Sequence, residues 1–68
     1  MKMEKKEYEV KKAEFLKLFA NVPLQLRQEI IAIVDDESLS WSVAALEIKR
    51  DTQKALIILE YLKKIGLI

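Results

Sequence analysis

PLQLRQEIIAIVDDESLS, Pro23 to Ser40, is the stretch on which the fold turns. Pro23 cannot continue a preceding helix and pushes Val22 out of the α region. It suits the first turn of a new helix, with Asn21 or Val22 near the cap. Beyond it, Leu24, Leu26, Ile30, Ile31, Ile33 and Val34 cover roughly half of a helical circumference. The segment therefore reads as a helix to about residue 35, and its wide apolar arc places it at the centre of the fold. Arg27 projects into that arc, either as a stem that snorkels near a helix end or as half of an ion pair with Glu or Asp. The following acids, Asp35, Asp36 and Glu37, could hold Mg²⁺ or Ca²⁺ through carboxylates; three adjacent acids in a loop read better as a solvated break.

After the break, Ser38 or Ser40 can cap a short helix that runs from Trp41 to about Lys49. Its inner face is Trp41, Ala44, Ala45 and Ile48. Trp41 reads as a core plug beside the turn, with stacking on a base or a partner as the alternative. Asp51 reads as the N-cap of the last helix, where its charge suits the positive helix end. That helix buries Ala55, Ile58, Leu59, Leu62 and Ile65 by spacing. Gly66 fits the left-handed position past its end, and Leu67 can fold back on Leu62.

Upstream, MKMEKKEYEVKKAEFLKLFANV reads as a helix from about residue 4 to 20, with residues 1–6 expected to be disordered or frayed. Tyr8, Phe15, Phe19 and Val22 share one face, with Leu16 and Leu18 at its edges. Glu7 and Lys11 make a favourable i,i+4 pair. No strand signal, repeat or low-complexity tract is read from the pattern. The expected class is all-α: an N-terminal helix over residues 1–22 and a three-helix core over 23–68, in one compact domain.

Composition narrows the function. The chain has 68 residues, no cysteine and no histidine. Disulfides are excluded, as are zinc, haem and iron–sulfur sites that need thiolate or imidazole ligands. No cofactor is expected. A domain this small buries a modest core and often leans on a partner chain. The formal net charge is +1, from 12 Lys plus Arg against 11 Asp plus Glu, so no global field draws the chain to nucleic acid or membrane. The charged N-terminus lacks a signal-peptide apolar region. The runs IIAIV and ALIIL are too short to span a bilayer. A cytoplasmic location is the simplest expectation. High charge, a single asparagine and no cysteine give a thermophile-like composition. With no histidine, cysteine or Gly-rich phosphate loop, and with Ser38, Ser40 and Ser42 lacking a base, an enzyme is not expected.

AALEIKRDTQKALIILEYLKKIGLI, Ala44 to Ile68, resembles the core of winged-helix and tri-helical helix-turn-helix domains. The resemblance rests on a small residue at the helix crossing (Ala45) and an apolar residue before the turn (Ile48). It continues in a cap (Asp51), the apolar positions Ala55, Ile58, Leu59 and Leu62, and the closing Gly66-Leu67-Ile68. It covers about residues 23–68. The family's turn usually carries Gly and an apolar residue, where Lys49 and Arg50 stand here. The sequence given has no wing after Ile68, and Leu56 and Ile57 occupy positions that the family gives to polar, DNA-facing side chains.

The resemblance implies a small DNA-binding or transcription-associated protein, expected as a homodimer. Thr52, Gln53 and Lys54 at the start of the last helix would reach base edges. Lys49, Arg50, Lys63 and Lys64 would hold phosphates of double-stranded DNA. The rival is a protein-interaction or oligomerisation module without DNA contact, since Leu56, Ile57 and Tyr61 could form an apolar interface. Tyr8, Phe15 and Phe19 of the first helix could be shared between chains. A third possibility is that the first helix covers Leu56 or Ile57 within one chain.

Overall fold

The computed structural model describes residues 3–68. The first helix, α1, spans Lys5–Ala20. A single 3₁₀ turn follows at Leu24–Leu26. Two antiparallel strands come next, β1 at Ile30–Val34 and β2 at Glu37–Ser40. Helix α2 spans Trp41–Lys49 and helix α3 spans Gln53–Lys64. The expected disorder of residues 1–6 does not extend over this description, since Met3 already donates its backbone N–H to Glu60 at 3.0 Å; residues 1–2 lie outside the described residues.

The expectation of an all-α fold is thus overturned: the chain is α+β. No helix spans residues 23–35. Pro23 is extended (φ −57°, ψ 146°) rather than the first helical residue. Four of the five residues of IIAIV are β-branched, which restricts them in a helix and suits a pleated strand. Asp35 and Asp36 both take the left-handed conformation, at φ 51° and 65°. Two consecutive positive φ values in a two-residue connection make the tight turn whose twist matches a hairpin. The acids are therefore the hairpin turn itself, with Val34 paired to Glu37 across it. The wide apolar arc is not a core face: Leu24 is 76% exposed, and Leu26, Ile30 and Ile33 are also exposed.

The ladder skips a residue between Ile30 and Ala32, which face Ser40 and Leu39 respectively. Ile31 is the extra residue of a bulge. The shift brings Ala32, Val34 and Leu39 onto one inner face, where all three are buried. Ser40 ends β2 and caps α2, its Oγ accepting the Val43 N–H at 3.2 Å. Trp41 then stacks on Phe15 with ring centroids 5.7 Å apart, so it does plug the core.

One apolar core joins the three helices and the hairpin. Phe15 of α1 packs with Ala32, Val34 and Leu39 of the hairpin, Ala44, Ala45 and Ile48 of α2, and Ala55, Ile58, Leu59 and Leu62 of α3. The alanines let α2 and α3 approach closely. The three helices contact one another. Ile65 is an exposed C-cap residue rather than core. Gly66 (φ 86°) lies past the end of α3, with its N–H on Lys63 O at 3.1 Å and the Leu67 N–H on Leu62 O at 2.9 Å; this is the Schellman pattern that the spacing anticipated. The Glu7–Lys11 pair gives way to Lys11–Glu14, at 3.4 Å. Among the described residues no helix is long and apolar enough to cross a membrane.

Candidate functional site

The candidate site is the α2–turn–α3 unit. Arg50 ends α2, Asp51 and Thr52 turn the chain, and Gln53 opens α3. Asp51 is not the N-cap of α3. It sits at φ 51° just past the end of α2. Its N–H reaches Ile48 O at 3.1 Å, while the Thr52 N–H reaches Glu47 O at 3.2 Å. These two bonds close α2 in the way Gly66 closes α3. An aspartate can hold this position because its short polar side chain tolerates the left-handed region.

The side chain of Asp51 faces α1 instead. It accepts the Tyr8 hydroxyl at 2.6 Å and the Lys12 ammonium at 2.8 and 2.9 Å. Lys12, and then Tyr8, hold its carboxyl below the usual carboxylate value. Burial first, and the Asp51 carboxylate second, push the Tyr8 phenol up to about 12. Charge at the turn is therefore locally neutralised. Tyr8 and Lys12 were not legible as a pair with Asp51, because 43 and 39 residues separate them.

Thr52 is the N-cap of α3 but makes no side-chain capping bond. Its hydroxyl donates to the Glu47 carboxylate and lies 3.4 Å from the Glu47 carbonyl. Lys54 is paired with Glu37 of the hairpin, and that carboxylate raises its pKa above the usual lysine value. Lys63 is paired with Glu7 of α1. Lys49 is exposed, with its ammonium 5.3 Å from the centre of the Phe19 ring. Arg50, Gln53 and Lys64 are exposed, and no side-chain hydrogen bond or ion pair engages them among the described residues. Three of the seven polar positions are thus occupied by glutamates that the sequence pattern did not link to them.

The apolar candidates also separate. Phe15 is wholly buried within one chain, stacked between Phe19 and Trp41; it belongs to the core and is withdrawn from the interface. Tyr8, Phe19 and Tyr61 are half-buried against that core. Leu56 is half-buried at the edge of a shallow groove of about 610 Å³, between Met3, Lys5 and Tyr8 on one side and Asp51 and Gln53 on the other. The start of α1 therefore borders the same groove as Leu56. Ile57 remains 44% exposed on α3, and Val43 and Leu46 are exposed on α2.

Among the described residues, no group of three or more His, Cys, Asp or Glu side chains is placed to hold a metal ion. Comparisons with models of known protein families, with curated proteins and with solved structures find no match for this chain.

Proposed function

We propose that this chain is a small helix-turn-helix DNA-binding protein that acts as a homodimer. The observation that carries the reading is the α2–turn–α3 unit. Ala45, Ile48, Ala55 and Leu59 are all buried in the core that α2 and α3 share, while Arg50 and Gln53 stand exposed at the turn and the first residue of α3. In a major groove, Gln53 would read a base edge and Arg50 a phosphate. The neutralisation of Asp51 by Lys12 removes an acid that would otherwise repel the backbone there. A monomer with a net charge of +1 gains little from counterion release; two copies double the contacts.

The test is electrophoretic shift with duplex DNA across a salt series. Arg50→Ala is expected to weaken binding to all sequences and lower the salt slope by about one, whereas Gln53→Ala is expected to change sequence preference. Absence of binding at low salt by a confirmed dimer would reject the reading. A second reading, a protein-interaction module, is favoured by one observation: Val43, Leu46 and Ile57 are large apolar side chains left exposed on α2 and α3. Such a module would self-associate through these residues while leaving DNA unshifted.

A further inference from the structure

Arg27 does neither of the things expected of it in a helix. It sits after the 3₁₀ turn and has no carboxylate partner among the described residues. Its Nε donates to Val22 O at 3.1 Å and its Nη2 to Phe19 O at 3.4 Å. Its guanidinium carbon lies 4.4 Å from the centre of the Phe19 ring. The Lys49 ammonium lies 5.3 Å from the same centre. Two cations thus share one aromatic ring. Lys11, Lys12, Lys54 and Lys63 each have an acid at ion-pair distance; Arg27 and Lys49 have none among the described residues.

The ring's π face and the carbonyls at the end of α1 attract the two heads and hold Arg27 in place. They do not balance two full positive charges. Two of the five guanidinium donors are used, and the rest keep their bonding capacity. A guanidinium fork and an ammonium held at one ring are the donor set that a phosphate chain takes: the fork binds two oxygens and the ammonium adds a point charge. We infer that Arg27 and Lys49, gathered at Phe19, form a phosphate-binding site. It joins Lys49, the last residue of α2, to Arg27 and Phe19, which lie outside the helix-turn-helix unit, and does not depend on the DNA reading. The phosphate comes either from a nucleic-acid backbone or from a free polyphosphate such as a nucleotide tail.

Nuclear magnetic resonance on the full chain tests it, with tripolyphosphate as one probe and a short DNA duplex as the other, against chloride at matched ionic strength. Tripolyphosphate is expected to shift the Arg27 Nε–H and Lys49 Nζ signals saturably. Lys49→Gln, an exposed change that leaves the Arg27 carbonyl bonds intact, is expected to weaken that response about tenfold with the thermal midpoint unchanged. If the duplex gives the same shifts, and Lys49→Gln lowers its salt slope by about one, the phosphate is that of a backbone. Shifts with tripolyphosphate alone assign the site to a free polyphosphate. Failure of the duplex to bind anywhere would overturn the DNA reading and leave this site standing on the tripolyphosphate result. No saturable shift at Arg27 with either probe, or a shift indifferent to Lys49→Gln, overturns the site.

Discussion

Lys12 holds both carboxylate oxygens of Asp51, at 2.8 and 2.9 Å, and so ties the second turn of α1 to the link between α2 and α3. The acid is depressed from its ordinary value of 3.8. A depressed carboxylate contributes stability that is complete above the unfolded value and is lost as pH falls through the native one. The gap in urea midpoint between wild type and Asp51→Asn is therefore expected to be constant at neutral pH and to close below about pH 4. Parallel acid profiles for the two proteins would show that the Lys12 contact does not couple to folding.

Tyr8 gives the opposite sign. Its native pKa is raised from 10.0 to about 12, so its contribution is complete below pH 10 and is lost as pH rises toward 12. In a Tyr61→Phe background, phenolate absorbance is expected to report one tyrosine titrating near 12. Adding Asp51→Asn is expected to lower that value only in part, since burial is the larger cause. A midpoint at 10.0 in the single variant would show that Tyr8 is solvated.

The hairpin turn contains two aspartates in a conformation that disfavours L residues with a side chain. Asp35→Asn with Asp36→Gly supplies the pair preferred in such turns. The double variant is expected to gain about 1 kcal/mol, read from urea denaturation, because left-handed strain is relieved. A helix through these positions would instead be weakened by the new glycine. Loss of stability would therefore refute the hairpin.

Gly66 meets no atom within 4 Å of where a Cβ would stand. The cost of Gly66→Ala is then conformational alone, and about 1 kcal/mol of stability is expected to be lost. A neutral substitution would mean that the bonds from Gly66 and Leu67 to α3 are not maintained in solution.

Ile57 is half-exposed, so Ile57→Glu is expected to change folding stability by less than about 0.5 kcal/mol. If the proposed dimer uses this face, light scattering will report the dimer mass for wild type and the monomer mass for the variant. An unchanged dimer places the interface elsewhere.

Glu37 occupies Lys54 at the start of α3. Exposed pairs of this kind are weak, so Glu37→Gln is expected to raise affinity for duplex DNA about two- to fivefold at low salt. The salt slope is expected to steepen as Lys54 becomes available to phosphate. Unchanged affinity would remove Lys54 from the contact surface.

The parts legible in the sequence are those where local rules and tertiary packing agree. Ala45, Ile48, Ala55 and Leu59 follow helical spacing and are buried together; Gly66 marks a helix end that needs positive φ. The hairpin was hidden because a continuous apolar run satisfies helical and extended periods alike. Its distinguishing sign was β-branching in Ile30, Ile31, Ile33 and Val34, followed by two residues able to turn left-handed. The glutamates that engage Thr52, Lys54 and Lys63 were illegible for a different reason. Glu37 reaches Lys54 from 17 residues away and Glu7 reaches Lys63 from 56 away, and such pairings depend on tertiary placement. Glu47, five residues from Thr52, needed only knowledge of how α2 ends.

Phe15 shares its enclosure with Leu62, so α1 finds its seat only after α3, which follows it in the chain, has been made. Hairpin and paired C-terminal helices can assemble from near neighbours in the chain, whereas docking of α1 closes a loop of several dozen residues. Until that late closure, an aromatic side chain destined for the interior stays in water.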